Sequence, residues 1–176
     1  MNKDLDERIL PNGQYRDARN IRVGTSDGTN VGSVQNIMGN TQASSLRTAA
    51  TNMGISLTGY YTTIGSYVDV ANNNIYWFIT GNFDIIAKFH DNGDGTGVTS
   101  ILLIETKGRV GEVLKFNTSY LITGVNLVDN LLFWTDNLNS PKKINVTRVY
   151  KLNAFTEADI SVIVAPPLNP PTIVLS

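Results

Sequence analysis

The sequence contains no cysteine. A disulfide framework, a thiolate zinc site, an iron–sulfur cluster and a cysteine nucleophile are therefore excluded. Histidine is almost as scarce: His90 is the only one. Zinc would need further nitrogen ligands, and no Gly-x-Ser-x-Gly elbow accompanies His90 as part of a hydrolase triad. Its place at the end of a strand, next to a hairpin, gives it a surface role. No apolar run approaches the ~18 residues of a membrane span. The first ten residues, MNKDLDERIL, carry acids where a secretory signal would have its apolar region. Charge is sparse too. Only 16% of residues are charged and the formal net charge is -1, which gives no global attraction to nucleic acid or to an anionic membrane.

What fills the space is Asn, Thr, Ser and Gly, residues that favour turns and strands over helix interiors. The 176-residue length suits one domain with a real core. Three segments are expected: a polar strand or docking segment over 1–54, strand and turn over 55–164, and a proline-rich extended linker over 165–176. The linker, APPLNPPT from Ala165, cannot make ladder bonds at its prolines. It reads as leading into a longer chain. The one stretch that could be a helix is 41–54, where Leu46, Ala49, Ala50 and Met53 have roughly helical spacing, but its threonines and weak apolar face suit a loop equally. Strands are expected at 67–71, 74–80, 85–90, 98–106, 121–128, 131–135 and 143–150.

An internal echo supports this reading. Val68-Asp69-Val70-Ala71-Asn72-Asn73-Asn74-Ile75-Tyr76-Trp77 aligns without a gap on Val125-Asn126-Leu127-Val128-Asp129-Asn130-Leu131-Leu132-Phe133-Trp134. A strand, a tight turn and an aromatic strand, repeated, is the pattern of β-propeller blades, with Tyr76, Trp77, Phe133 and Trp134 as blade core. A propeller needs at least about four blades, and this chain supplies about two. The fold class is thus all-β: propeller-like blades of antiparallel strands, incomplete within this chain and completed by assembly.

Candidate chemistry is thin. Asp91 and Asp94, in the loop Asp91-Asn92-Gly93-Asp94-Gly95-Thr96-Gly97, could offer oxygens to calcium. Glu105 is too far along for an EF-hand, and a glycine-rich hairpin explains the loop more simply. Asp4, Asp6 and Glu7 beside Arg8 read as a salt-bridge cluster rather than an acid/base pair. Gly24, Gly28 and Gly32 lack the Gly-Lys-Ser/Thr of a phosphate loop. No catalytic residue and no cofactor is expected. Arg8, Arg16, Asp17, Arg19 and Arg22, within LDERILPNGQYRDARNIRV, are expected to meet carboxylates or carbonyls at an interface. Nearby acids cancel the field that a phosphate track would need.

That same opening run, followed by Thr25-Ser26-Asp27-Gly28 and Val31-Gly32-Ser33-Val34-Gln35-Asn36, resembles the start of the tail nozzle (muzzle) proteins of short-tailed bacteriophages, including the crAss-like phages. Asn74-Ile75-Tyr76-Trp77-Phe78 and FWTDNLNSPKKIN over 133–145 are similar to the blade motifs of that family, and Glu157–Ile163 before Pro166-Pro167-Leu168 to its inter-blade connection. The resemblance covers most of 5–170 and corresponds to the N-terminal part of longer proteins. It implies a non-catalytic structural subunit in the virion tail. Such a subunit forms a ring around the DNA exit channel with copies of itself, contacts portal-adaptor and other tail proteins, and lets genomic DNA pass without sequence-specific binding. The alternative is a carbohydrate- or receptor-binding propeller, for which exposed rings at Tyr60, Tyr61 or Trp77 would speak.

Overall fold

A computed structural model describes residues 6–9, 21–23, 34–36 and 39–163. The chain divides into two units, Met1–Thr41 and Gln42–Ser176. In the first, a 3-10 turn spans Glu7–Ile9, and β1 (Ile21–Val23) pairs antiparallel with β2 (Val34–Asn36), Arg22 opposite Gln35.

The second unit begins with helix α1 (Leu46–Asn52), N-capped by the Ser45 hydroxyl. A four-stranded antiparallel meander follows: β3 (Thr62–Asp69), β4 (Asn74–Thr80), β5 (Phe83–Asp91) and β6 (Gly97–Thr106). After a long loop come β7 (Gly124–Val128), β8 (Leu131–Thr135) and β9 (Lys142–Asn145), again in meander order. A short helix, α2 (Glu157–Ile160), leads to Ser161, which bridges antiparallel to Lys142 as the start of a fourth strand position. Strand is the dominant regular structure among the described residues, in separate open sheets, as an all-β fold of incomplete blades requires.

Both faces of the first sheet are apolar, which accounts for the near-continuous hydrophobic text of β4 to β6. Alternation along β4 sends Tyr76 and Phe78 to one face and Trp77 and Ile79 to the other. Trp77, Ile79, Ile85, Ala87, Ile101 and Ile104 meet α1 through Leu46, Ala49 and Ala50. Tyr76, Phe78, Ile86 and Leu103 meet Leu132, Trp134 and Ile144 of the second sheet in the larger core. Phe78 carries the junction, its ring 5.5 Å from Trp134 and 6.1 Å from Phe116.

Two β-bulges, at Ile64 in β3 and Leu102 in β6, each insert one apolar residue without a ladder partner. Both side chains join the larger core. Both carbonyls accept from outside the sheet: Ile64 from the Ile122 N–H at 2.8 Å, Leu102 from the Tyr150 N–H at 2.7 Å. The segments flanking the second sheet are therefore hydrogen-bonded to both edge strands of the first.

The gapless echo is displaced in three dimensions. Residues 70–73 connect β3 to β4, whereas Asp129 and Asn130 alone connect β7 to β8. The left-handed residue is Asn73 in one turn and Asp129 in the other, and the core-facing pair is Tyr76 and Phe78 in β4 but Leu132 and Trp134 in β8. Trp77 and Trp134, matched in sequence, thus differ in role. Trp77 is half-buried on the α1 side, stacked at 6.0 Å on Phe89, while Trp134 sits between the sheets.

Candidate functional site

Two features organise the molecule: a buried acidic row that anchors the connection between the sheets, and the outer face of the second sheet. Thr80, Asp84 and Glu105 line up across β4, β5 and β6 on the face toward the second sheet. Asp84 and Glu105 have no exposed surface. Such carboxylates persist only when hydrogen-bonded and paired. Asp84 accepts from the Thr80 hydroxyl at 2.7 Å and the Phe116 N–H at 2.8 Å, and pairs with Lys107 at 3.3 Å. Burial pushes its carboxyl above the ordinary range, against the lowering pull of those three partners. Glu105 accepts from the N–H groups of Val113 (3.0 Å) and Leu114 (2.7 Å) and from Arg109 Nε at 2.9 Å. Lys107 also donates to the Thr80 hydroxyl and the Phe116 carbonyl. A left-handed Lys115 turns the chain so that Leu114 and Phe116 both reach the core. These groups hold 107–118 in place.

The motif FWTDNLNSPKKIN also resolves into structural roles. Asp136 accepts from the N–H groups of Leu138 (3.0 Å) and Asn139 (2.8 Å) and from the Asn139 side chain at 2.7 Å. Desolvation raises its carboxyl, but Asn139, Leu138 and Lys142 together outweigh that and leave it below the ordinary range. Lys142, buried, reaches Glu157 of α2 at 3.5 Å. Thr156 and Asp159 form a capping box on that helix, so Lys142–Glu157 and the Ser161 bridge attach it to β9.

The other face of the second sheet carries Val128, Leu131 and Phe133 among Asn126, Thr135, Lys143 and Asn145. Val128 and Leu131 are exposed and Phe133 half-buried. Beside them a shallow groove of about 400 Å³ is lined mainly by Val125, Phe133, Trp134, Pro141 and Val162. At one end of the sheet pair, a polar cleft of about 560 Å³ is bordered by Asp69, Lys88, His90, Asp129 and several asparagines.

Among the residues singled out from sequence, Tyr76 and Trp134 are buried and Trp77 and Phe133 half-buried. His90 is exposed and its Nδ1 lies 3.0 Å from Asn74 Oδ1. Asp91 Oδ1 accepts from the Gly93 N–H, and Asp94 Oδ1 from the Thr96 N–H and hydroxyl. These are turn-closing bonds, and among the described residues no group of three acids or histidines is gathered to hold a metal. Arg8 is exposed, its N–H donating to the Asp6 carboxylate. Arg22 lies in β1; Arg16, Asp17 and Arg19 lie outside the described residues, as does the proline-rich tail. Among the described residues, no helix is long and apolar enough to cross a membrane.

Sequence reasoning passed over Asp84, Lys107 and Arg109, and weighed Glu105 only as a distal calcium ligand. A signal existed: in Phe83-Asp84-Ile85-Ile86, alternation places the acid on the same strand face as the buried Ile86, where only a partnered carboxylate is tolerated.

Open antiparallel sheets stacked face to face, with buried charges fastening the loop between them, define an all-β protein of incomplete blades. The chain belongs to the Crassvirus muzzle protein family, whose model matches residues 1–174. It is a structural component of a bacteriophage tail and resides in the virion. No curated protein matches this chain.

Proposed function

We propose that this chain is a non-catalytic ring subunit of the tail nozzle, forming wall around the channel through which the genome leaves. The observation that carries the reading is the blade-like stacking. The four-stranded sheet packs face to face on the three-stranded one, β3 runs close to β7, and the second sheet turns away from the first an outer face on which Val128, Leu131 and Phe133 stand among polar residues. Blades of a propeller stack in this manner, each face covered by the next. The partners are copies of this chain and neighbouring portal-adaptor and tail proteins. The proline-rich segment from Ala165 is a linker, and residues 1–54 serve as the docking segment, with Arg8, Arg16, Asp17, Arg19 and Arg22 at the contact. A net charge of -1 suits a lining past which DNA slides without being held.

Crosslinking mass spectrometry of intact particles tests this. Crosslinks between two copies of the chain, and from it to portal-adaptor proteins, are expected; confinement of its peptides to the distal fibres would overturn the ring assignment. Charge reversal at Arg8, Arg16, Arg19 and Arg22 should abolish incorporation into tails while the isolated protein keeps its unfolding midpoint. Tight binding of duplex DNA with a steep salt dependence would contradict the sliding role.

One observation favours a receptor-binding reading instead. Tyr60 is 98% exposed and stands beside Asn117 and Thr118 in a polar hollow, an arrangement suited to stacking a sugar ring. Glycan-array binding lost in Tyr60→Ala would support it; unchanged or absent binding removes it.

A further inference from the structure

The hairpin tip between β5 and β6 holds a peptide bond poised for self-modification. Residues 90–96 are all exposed. Gly93 follows Asn92, has a φ of +80°, and has open space where a Cβ would stand. Nothing on the following residue therefore shields the Asn92 side-chain carbonyl from the Gly93 nitrogen. The Gly93 N–H already donates to Asp91 Oδ1 at 2.9 Å, which sets a proton acceptor against the nitrogen that must become the nucleophile. The Asn92 side chain is held at this turn by its Nδ2, which donates to Thr96 Oγ1 at 2.9 Å, while its backbone N–H donates to the Thr96 carbonyl at 3.1 Å.

We propose that Asn92-Gly93 is a site of spontaneous deamidation, assisted by Asp91 as the proton acceptor. The Gly93 nitrogen bonds to Asn92 Cγ and gives its proton to the Asp91 carboxylate. The Cγ–Nδ2 bond breaks, and the amide leaves as ammonia after taking a proton back from Asp91. The cyclic imide then adds water at either carbonyl. One opening yields aspartate; the other yields isoaspartate, with an extra methylene in the main chain. No oxidant or cofactor is needed. Either product adds a negative charge beside Asp91 and Asp94 and removes the Nδ2 bond to Thr96.

The neighbouring Asp94-Gly95 step is a built-in contrast. Thr96 donates both its hydroxyl and its N–H to Asp94, which holds that carboxyl below the ordinary range. A carboxylate is a poor electrophile, so Asp94 resists the same cyclisation.

The test is peptide mapping of the full chain aged at mildly alkaline pH, with isoaspartyl methyltransferase as the probe. Asn92 should convert severalfold faster than Asn117 and Asn137, exposed asparagines followed by residues with a Cβ. The product should separate as two isomeric peptides. Asn92→Gln should abolish the methyltransferase signal of the peptide carrying residues 91–97, leaving that of the separate Asn12-Gly13 peptide as an internal reference, and Asp91→Asn should slow conversion at Asn92 severalfold. Conversion at Asn92 no faster than at Asn117 and Asn137 would overturn the site. An unchanged rate in Asp91→Asn would overturn the role of the carboxylate.

Discussion

Asp84 and Glu105 lie directly opposite each other on β5 and β6, on one face and with no exposed surface. Like charges in that relation normally weaken a sheet. Here each has its own cation, Lys107 or Arg109, and its own main-chain N–H donors from the same loop. The pair works as two fasteners side by side, and removing either side chain orphans several groups at once.

Glu105→Ala leaves the N–H groups of Val113 and Leu114 without partners and strips Arg109 of its carboxylate. The expected loss is about 3 kcal/mol, the scale for breaking a buried, hydrogen-bonded ion pair. It should be read in urea as a lower midpoint with an unchanged slope. Glu105→Gln, which keeps an acceptor for the loop, should lose less.

Acid titration should separate two aspartates of opposite sign. Asp84 lies above the ordinary range because burial disfavours its charge. A folded-state value raised above the unfolded one means the fold holds the proton more tightly. Its contribution is therefore full below the unfolded value and lost as pH rises through the folded value. Asp136 is held below the ordinary range, so its contribution is present above the unfolded value and lost as pH falls through the folded one. In melting temperature against pH, Asp136→Asn should blunt the acid-side decline, while Asp84→Asn should remove an opposing trend. Parallel profiles for the two variants would contradict this account.

Much of the strand plan was readable because burial on both sides leaves few choices. β4 and β8 fall on 74–80 and 131–135, as their unbroken apolar-aromatic runs indicate. Where local text misled, a distant contact had intervened. The strand expected from Leu121 begins only at Gly124, since Ile122 hydrogen-bonds to the bulged Ile64 rather than to β8. The strand expected to reach Tyr150 stops at Asn145, whose side chain accepts from Thr147 and turns the chain. Helix α2 carries only one buried side chain, Ile160, too little for a periodic signal. The acidic row is legible only once β5 and β6 are in register. As for the interface arginines, Arg16 and Arg19 lie outside the described residues.

Gly65→Ala should loosen the approach of the two sheets. A Cβ there would stand 2.6 Å from the Ile122 carbonyl oxygen and 2.8 Å from the Ile122 Cβ. Backbone must then shift, at a cost of about 1–3 kcal/mol. Faster hydrogen exchange at the Ile122 amide is the specific readout, since that N–H bonds to Ile64 beside the substituted position.

Trp134→Ala and Phe133→Ala, neighbours on one strand, should behave differently. The first empties the core between the sheets and should cost about 3–5 kcal/mol. The second lies on the outer face and should leave urea stability of the isolated chain far less affected. If the nozzle-ring proposal holds, Phe133→Ala should nonetheless reduce incorporation into tails. Equal destabilisation by both would show that the outer face is already core.

The helix over the first sheet has a directional consequence. Within the described part of the 42–176 unit, α1 closes one side of the stack, while the far side, at Val128, Leu131 and Phe133, still presents a sheet surface of the kind another sheet packs on. A stack built this way has a lid and a mouth. On the nozzle-ring proposal, further sheets would add at the mouth alone, which would give assembly a polarity, and two copies meeting lid to lid would gain nothing.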